Sequence, residues 1–381
     1  MKDGFIKAAS ASPVIKVADT EYNAQRVIET IKAADEMGVK MLVFPELVLT
    51  GCTCYDLTGH NVVLRGAKKA LLEVIAASEG VDMLVFVGLP IAVGSRLYSC
   101  AAAIYDGELL GLVPRENVRG TQFAEPADSY VEVEIDAEHV AVLSTDYVFT
   151  CAALPDLKVA AELGADIDVL VPPSVRHAQA GATVIAQLAS FPETVTSADE
   201  AELTLRSQSR RLHCGMIMAA PGKGESTTEN VYSGLCMIAE NGEILAASEC
   251  ENSMAVTELD VEYIVNTRRG SDDFDLDSDE YYEAVWGGEP VETELTRSYR
   301  KYPHLPANEA DMPAYCERML DIQVSGLVKR MQYAGLDHCV VGISGGVDST
   351  LAVMVSAMAV KKLGLPSTNV VACTMPCFGT S

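Results

Sequence analysis

The ten residues Val341–Thr350, VGISGGVDST, decide how the C-terminal part of this chain is read. The run ahead of the turn, His338-Cys339-Val340-Val341-Gly342-Ile343, is short, β-branched and nearly unbroken, which predicts a buried strand. It gives way to Ser344-Gly345-Gly346, and after Asp348 an apolar segment of helical length runs from Leu351 to Leu363. Strand, glycine turn and helix start are the parts of a phosphate cradle. Backbone N–H groups reach an anion where side chains are missing, and the helix dipole adds positive potential. Ser349 and Thr350 place two hydroxyl donors in the first helical turn. The spacing is not G-x-x-x-x-G-K-[ST] and no lysine follows, so this is not the common P-loop. A glycine turn with no ligand is the competing reading, disfavoured because strand, turn, Asp-Ser and helix occur together and in order.

At 381 residues the chain is long enough for two domains with cores of their own. A formal charge of −26 argues against nonspecific binding to nucleic acid or to anionic membranes. It does not exclude a nucleotide, which a local glycine cradle can hold inside an acidic protein. No 18-residue uncharged apolar run is present and the opening Met1-Lys2-Asp3-Gly4 begins no signal peptide, so a cytoplasmic protein is expected. The eleven cysteines are scattered, many among apolar residues, and read as reduced thiols. Cys52-Thr53-Cys54 is too tight for a zinc pair, and no metal site is expected.

Along the chain, Phe5–Ser10 predicts a strand, Ala24–Met37 a helix with an apolar stripe, and Met41–Phe44 a buried strand ending at Pro45-Glu46. A carboxylate at the C-terminal edge of a central strand is a frequent place for chemistry, although position alone also suits a solvated loop glutamate. A second helix at 62–77 and a strand at 83–87 follow, then a hairpin around Asp106-Gly107 and another around Asn241-Gly242. Further strands are expected at 158–163, 169–171, 184–188 and 216–219, with a helix at 198–212. The pattern is a two-sheet α/β sandwich to about residue 260. The acidic segment 274–283 lacks periodicity and reads as solvated linker. An amphipathic helix at 312–332 feeds the strand before the glycine turn. The expected domains are 1–264 and 306–381, joined by an acidic linker over 265–305.

SGG-x-DS resembles the pyrophosphate-binding loop of the ATP pyrophosphatase superfamily, and Phe44–Gly51, FPELVLTG, is similar to the general-base motif of the nitrilase (carbon–nitrogen hydrolase) superfamily. Together they look like the glutamine-dependent NAD synthetase family. Pro172–Val184 (PPSVRHAQAGATV), Gly222–Gly234 (GKGESTTENVYSG), the AENGEILA hairpin and Thr374–Thr380 (TMPCFGT) add to the resemblance. It implies a four-layer αββα nitrilase-like sandwich followed by the start of a doubly wound α/β domain of the adenine nucleotide α-hydrolase-like kind. In that family the first domain frees ammonia from glutamine. The second adenylates deamido-NAD with ATP, assisted by Mg²⁺, and ammonia displaces AMP. The resemblance places ATP on Ser344, Gly345, Gly346, Asp348, Ser349 and Thr350, and implies a homo-oligomer.

Amide hydrolysis of this type needs a thiolate nucleophile, a glutamate that moves protons and a lysine that steadies the oxyanion. Glu46 matches the glutamate. Arg115, in GLVPRENV, stands where the lysine belongs, and arginine is bulkier and forked. Counting back without gaps from Pro172-Pro173-Ser174 puts Gly164 on the nucleophile, and glycine has no side chain to attack with. Ala165 replaces a second glutamate, Gln187–Phe191 departs from the strand end that helps hold glutamine, and the loop ENVRGTQFAEPA is shorter than the family's. A pocket eroded at several positions reads as a glutaminase-like domain that does not hydrolyse glutamine. Cys52, Cys54 and Ser144 are the candidates for a substitute nucleophile.

The chain stops at Ser381, and the resemblance implies that most of the deamido-NAD site would lie further on. Three functions compete: an NAD synthetase polypeptide fed by free ammonia, a non-catalytic scaffold or subunit of a synthetase assembly, and a carbon–nitrogen hydrolase with a relocated nucleophile.

Overall fold

A computed structural model describes residues 3–126, 130–248, 253–274, 281–287 and 290–375. The chain divides into a unit ending at Arg297 and a unit beginning at Ser298. That division falls inside the expected 265–305 linker, although part of this segment packs into the first unit.

The first unit opens with β1 (Phe5–Ser12), α1 (Thr20–Glu36), β2 (Met41–Val43), α2 (Asn61–Ala77), β3 (Leu84–Val93), β4 (Arg96–Tyr105), β5 (Glu108–Pro114), β6 (Val131–Glu134) and β7 (Val140–Leu143). It continues through β8 (Tyr147–Cys151), β9 (Leu154–Leu163), α3 (Pro173–Gln179), β10 (Val184–Leu188), α4 (Ser197–Leu212), β11 (Gly215–Ala219), β12 (Cys236–Glu240), β13 (Glu243–Ser248), β14 (Ser253–Asp260), α5 (Val261–Arg268) and β15 (Tyr282–Trp286). An eight-stranded sheet has the order β14-β1-β2-β3-β4-β5-β7-β6, and a seven-stranded sheet the order β13-β12-β11-β10-β9-β8-β15.

The two sheets face each other. Ile6, Met41, Phe86 and Val113 of one pack with Phe149, Val159, Ala186 and Ile217 of the other in a shared apolar layer. The alternate residues of each strand face outward and meet helices, as period-two side-chain direction requires. Val27 and Ile31 of α1 and Leu71 and Val74 of α2 cover the first sheet. Ala178 of α3 and Leu205 and Leu212 of α4 cover the second. This is the expected αββα sandwich. Central strands buried on both faces explain the near-continuous apolar runs in the sequence.

Two local expectations change. Val169–Val171 is a turn, with Leu170 96% and Val171 69% exposed, because the chain has left the C-terminal end of the central strand β9 and turns back into α3. In the expected linker, β15 adds to the second sheet by parallel pairing with β8 and buries Trp286. Residues 275–280 of the acidic stretch lie outside the described residues. Further on, Arg297 pairs with Glu240 at 2.9 Å, tying the end of the first unit to β12.

The second unit contains α6 (Met312–Ala334), β16 (Cys339–Ile343), α7 (Val347–Lys362) and β17 (Val370–Thr374), with β16 and β17 paired in parallel. Its core joins Val324 and Met331 of α6 to Val355, Ala359 and Val360 of α7. The strand expected to be buried is covered on one side only: Val340 is 73% exposed. Of the TMPCFGT string, Pro376–Thr380 fall outside the described residues.

Candidate functional site

Glu46, Arg115 and Gly164 are far apart in sequence and meet at the C-terminal ends of three strands. Glu46 lies just past β2, Arg115 just past β5 and Gly164 just past β9. Glu46 is 1% exposed, so it is not a solvated loop residue. Its N–H donates to the Ala189 carbonyl at 3.1 Å, and its Oε1 accepts from the Ser99 hydroxyl at 2.6 Å. Arg115 Nη1 donates to both carboxylate oxygens, at 3.3 and 3.2 Å.

Arg115 is itself held at three points. Its backbone N–H donates to Ser99 O at 2.8 Å, and its Nε to Asn117 O at 2.8 Å. Asp166, two residues beyond Gly164, accepts from the N–H groups of Glu116 and Asn117 at 3.1 and 2.6 Å. One carboxylate thereby joins the end of β5 to the turn after β9. Burial pushes the Asp166 carboxyl up to about 6 despite those hydrogen bonds. Glu162, the penultimate residue of β9, is buried and pushed up to about 8 by the same cause.

Gly164 has φ +55, in the left-handed region. A Cβ built on it would stand 2.5 Å from Glu46 Oε2 and 2.6 Å from both Cζ and Nη1 of Arg115. The carboxylate–guanidinium pair thus occupies the place where a side chain at 164 would project. Gln187, at the departing strand end, donates from Nε2 to Gly164 O at 3.0 Å.

Above the pair lies a cavity of about 390 Å³ lined by Cys52, Tyr55, Gln122, Phe123, Ser190 and Tyr232 as well as Glu46 and Arg115. Of the three substitute nucleophiles only Cys52 reaches it. Cys54 is 2% exposed, and Ser144 lies at the end of β7, its hydroxyl accepting from the Asp146 N–H at 3.2 Å. Burial, and then the Glu225 carboxylate, hold the Cys52 thiol well above its usual range, which disfavours the thiolate. Glu225 also accepts from the N–H groups of Cys52 and Thr53 at 2.8 and 3.0 Å, an anchor for the cavity wall.

Ser99, Asp166 as a clamp, Glu225 and Tyr232 are the parts that sequence reasoning missed. The signal for Ser99 was a lone hydroxyl inside the apolar run of β4. A buried polar group in such a run needs a partner.

The second predicted site lies in the other unit. Gly345 has φ +87, and Gly346 caps α7. Ser344, Gly346, Ser349 and Thr350 are linked by local hydrogen bonds: Gly346 N–H donates to Ser344 Oγ at 3.3 Å, and the Ser349 and Thr350 hydroxyls donate to Gly346 O at 3.1 and 3.0 Å. Asp348 is exposed in the first turn of α7. Among the described residues no three His, Cys, Asp or Glu side chains gather as a metal cage. A single carboxylate beside a phosphate-type turn suits a Mg²⁺ that arrives on a nucleotide, since Mg²⁺ takes one or two carboxylates plus phosphates. None of the described helices is long and apolar enough to cross a membrane.

The carbon-nitrogen hydrolase family model matches residues 7–269, most of the chain. The chain belongs to the carbon-nitrogen hydrolase family. Residues 319–381 match the NAD synthase family model, and the two in this order give the chain the make-up of a glutamine-dependent NAD synthetase. It is 31% identical over 396 aligned residues to the glutamine-dependent NAD(+) synthetase of Mycobacterium tuberculosis, covering 99% of this chain and 58% of that protein. The Thermotoga maritima synthetase is 24% identical, with 100% of this chain and 62% of that protein covered. The chain therefore spans about three fifths of the length of these relatives. Among solved structures, the Acinetobacter baumannii synthetase, in complex with ADP, aligns over 99% of this chain and 60% of its own with TM-score 0.57 and 18% identity. A nitrilase-superfamily protein of Saccharomyces cerevisiae aligns over 71% of this chain and 95% of its own with TM-score 0.55 and 15% identity. Both likenesses concern the fold.

Proposed function

We propose that this chain is an NAD synthetase polypeptide whose first unit no longer hydrolyses glutamine. The observation that carries the reading is the glycine at 164. The turn after β9 brings that residue against Glu46 and Arg115, and it has no atom that can attack a carboxamide. An acyl-enzyme needs nucleophile, base and oxyanion donor together. Here the base candidate is bound to the donor candidate, at 3.2 Å, and the nucleophile is missing.

The second unit supplies the other half of the reading. Gly345 and Gly346 keep side chains out of the turn, and α7 directs its positive end at it. Ser344, Ser349 and Thr350 line the same turn with hydroxyls. We assign this loop to the phosphates of ATP, and Asp348 would hold a Mg²⁺ that travels with them. The names of the relatives and the ADP complex of one structural neighbour support that assignment. The reaction is then the amidation of deamido-NAD through an adenylate: the carboxylate attacks the α-phosphorus and releases pyrophosphate, and free ammonia displaces AMP. Domain limits of 1–264 and 306–381, assembly as a homo-oligomer and a cytoplasmic setting belong to the same proposal.

The test is glutamate release from glutamine by the purified chain, beside a Glu46→Ala control. The expected result is no release above the control, while calorimetry with ADP and Mg²⁺ shows binding that Gly345→Val weakens at least tenfold. Enzyme-like release that the control abolishes would sink the reading, and Cys52 would then be the nucleophile to replace.

A further inference from the structure

We infer that Arg115 is a plug seated in the volume of the lost nucleophile, so that Arg115 and Gly164 are a matched pair and neither position regains covalent chemistry without the other. This rests on the assignment of the first unit as non-hydrolytic and says what keeps it so.

The clash is too close for small adjustments. A Cβ at 164 would meet Arg115 Cζ and Nη1 at 2.6 Å and Glu46 Oε2 at 2.5 Å, inside the 3.0 Å that real Cβ atoms keep. A thiol sulfur beyond that Cβ needs still more room. Such a conflict is harmless when the neighbour is the free end of a flexible side chain, but Arg115 is not free. Its side chain is 11% exposed, its Nε is bound to Asn117 O at 2.8 Å and its Nη1 to Glu46. The peptide that follows it is clamped by Asp166.

Glu46 cannot withdraw either, being 1% exposed and bound to the Ser99 hydroxyl at 2.6 Å. Nor can the backbone at 164 slide away, because Gln187 Nε2 holds its carbonyl at 3.0 Å. The guanidinium is a flat, forked group wider than an ammonium, so the positive charge alone did not require this crowding. Glycine at 164 also accepts a φ of +55 that a side chain resists. The two residues therefore fit each other and exclude their alternatives one at a time.

The inference predicts non-additivity between contacting positions. The full chain would be prepared as Gly164→Cys, Arg115→Lys, the double variant, and Arg115→Ala with Gly164→Cys as a second way of removing the plug. The urea midpoint is read from the fluorescence of Trp286, the sole tryptophan. The thiol at 164 is titrated with limiting iodoacetamide: its sulfur displaces iodide, a C–S bond forms, and the thiol proton passes to buffer. Labelling is read by mass spectrometry against Cys316, which is exposed.

Gly164→Cys alone is expected to lower the midpoint and to label slowly. Adding Arg115→Lys, which keeps a cation for Glu46, is expected to recover at least half of the lost midpoint, and either second change is expected to speed labelling at 164 at least tenfold. If Gly164→Cys alone does not fold, recovery of folded chain by Arg115→Lys is the same result, and its failure to restore folding overturns the plug. Labelling of Gly164→Cys as fast as the double variants, at an unchanged midpoint, overturns it too, and leaves the non-hydrolytic reading standing so long as the wild-type chain releases no glutamate. Glutamate release by the wild-type chain overturns that reading instead, whatever the labelling shows.

Discussion

Replacing Glu162 by glutamine should make the first unit more stable at alkaline pH and leave it little changed near pH 4.5. The Glu162 side chain is 1% exposed, with Oε2 accepting from the Ser174 N–H at 3.1 Å and Oε1 lacking a hydrogen-bond partner among the described residues. Burial raises its carboxyl from 4.5 to about 8, with smaller contributions from Asp166 and Glu116 in the same direction. The folded chain keeps this proton to about pH 8, whereas the unfolded chain releases it near 4.5. Between those values the unfolded state binds fewer protons, so stability falls as pH rises through the window. At about 1.4 kcal/mol per pH unit the full penalty is on the order of 4–5 kcal/mol, complete above pH 8. Glutamine keeps an acceptor for Ser174 and does not titrate. Urea unfolding followed by Trp286 reports on the first unit alone, because that tryptophan is 2% exposed and its indole N–H donates to Phe149 O at 3.1 Å. The stability difference between variant and wild type should grow by several kcal/mol from pH 4.5 to 8.5. Asp166 titrates in both proteins and cancels. A difference that stays constant across this range would show that Glu162 ionises without penalty, and the reasoning would be wrong.

Other perturbations follow from the same geometry. Arg115→Ala leaves Glu46 buried and unpaired, which should destabilise the first unit by about 3–5 kcal/mol in urea unfolding at pH 7, toward the lower end because Ser99 remains bound. Glu225→Ala frees the N–H groups of Cys52 and Thr53 inside the fold, so a loss of about 1–3 kcal/mol is expected, with faster labelling of Cys52 by iodoacetamide. His177 is pushed down to about 3 by burial and then by Arg176, so wild-type stability should fall as pH drops from 6.5 toward 3. His177→Gln should flatten that acid limb in the same unfolding assay. Gly345→Ala should weaken ADP binding less than Gly345→Val, since φ +87 disfavours any side chain and a β-branched one most.

Most of the architecture was legible because strands and helices carry their own periods. The apolar run Met41–Phe44, the stripe on α1 and the Asp106-Gly107 hairpin each report a local preference. Val169–Val171 misled because a short apolar run in the connection after a strand looks like a strand itself when its exposure is unknown. β15 was missed because its only claim to be a strand is the partner it finds in β8, 135 residues earlier at the Tyr282–Tyr147 pairing. Such pairings depend on neighbours in space, which no local pattern contains.

The candidate site divides along the same line. Sequence alone determined which residue types occupy the decisive positions: Glu46, an arginine at 115, a glycine at 164 and the glycine turn at 344–346. That residue 164 carries no side chain is a statement about covalent structure and needed no coordinates. Only the tertiary structure decided that the Glu46 carboxylate and the Arg115 guanidinium fill the space beside Gly164, that Ser99 and Asp166 hold them there, and that Cys52 shares their cavity. The physical reason is that steric exclusion and burial are properties of atoms brought together by the sandwich. Three strand ends that converge on one point can be matched to a pattern one by one, but whether their side chains fit together is settled by packing.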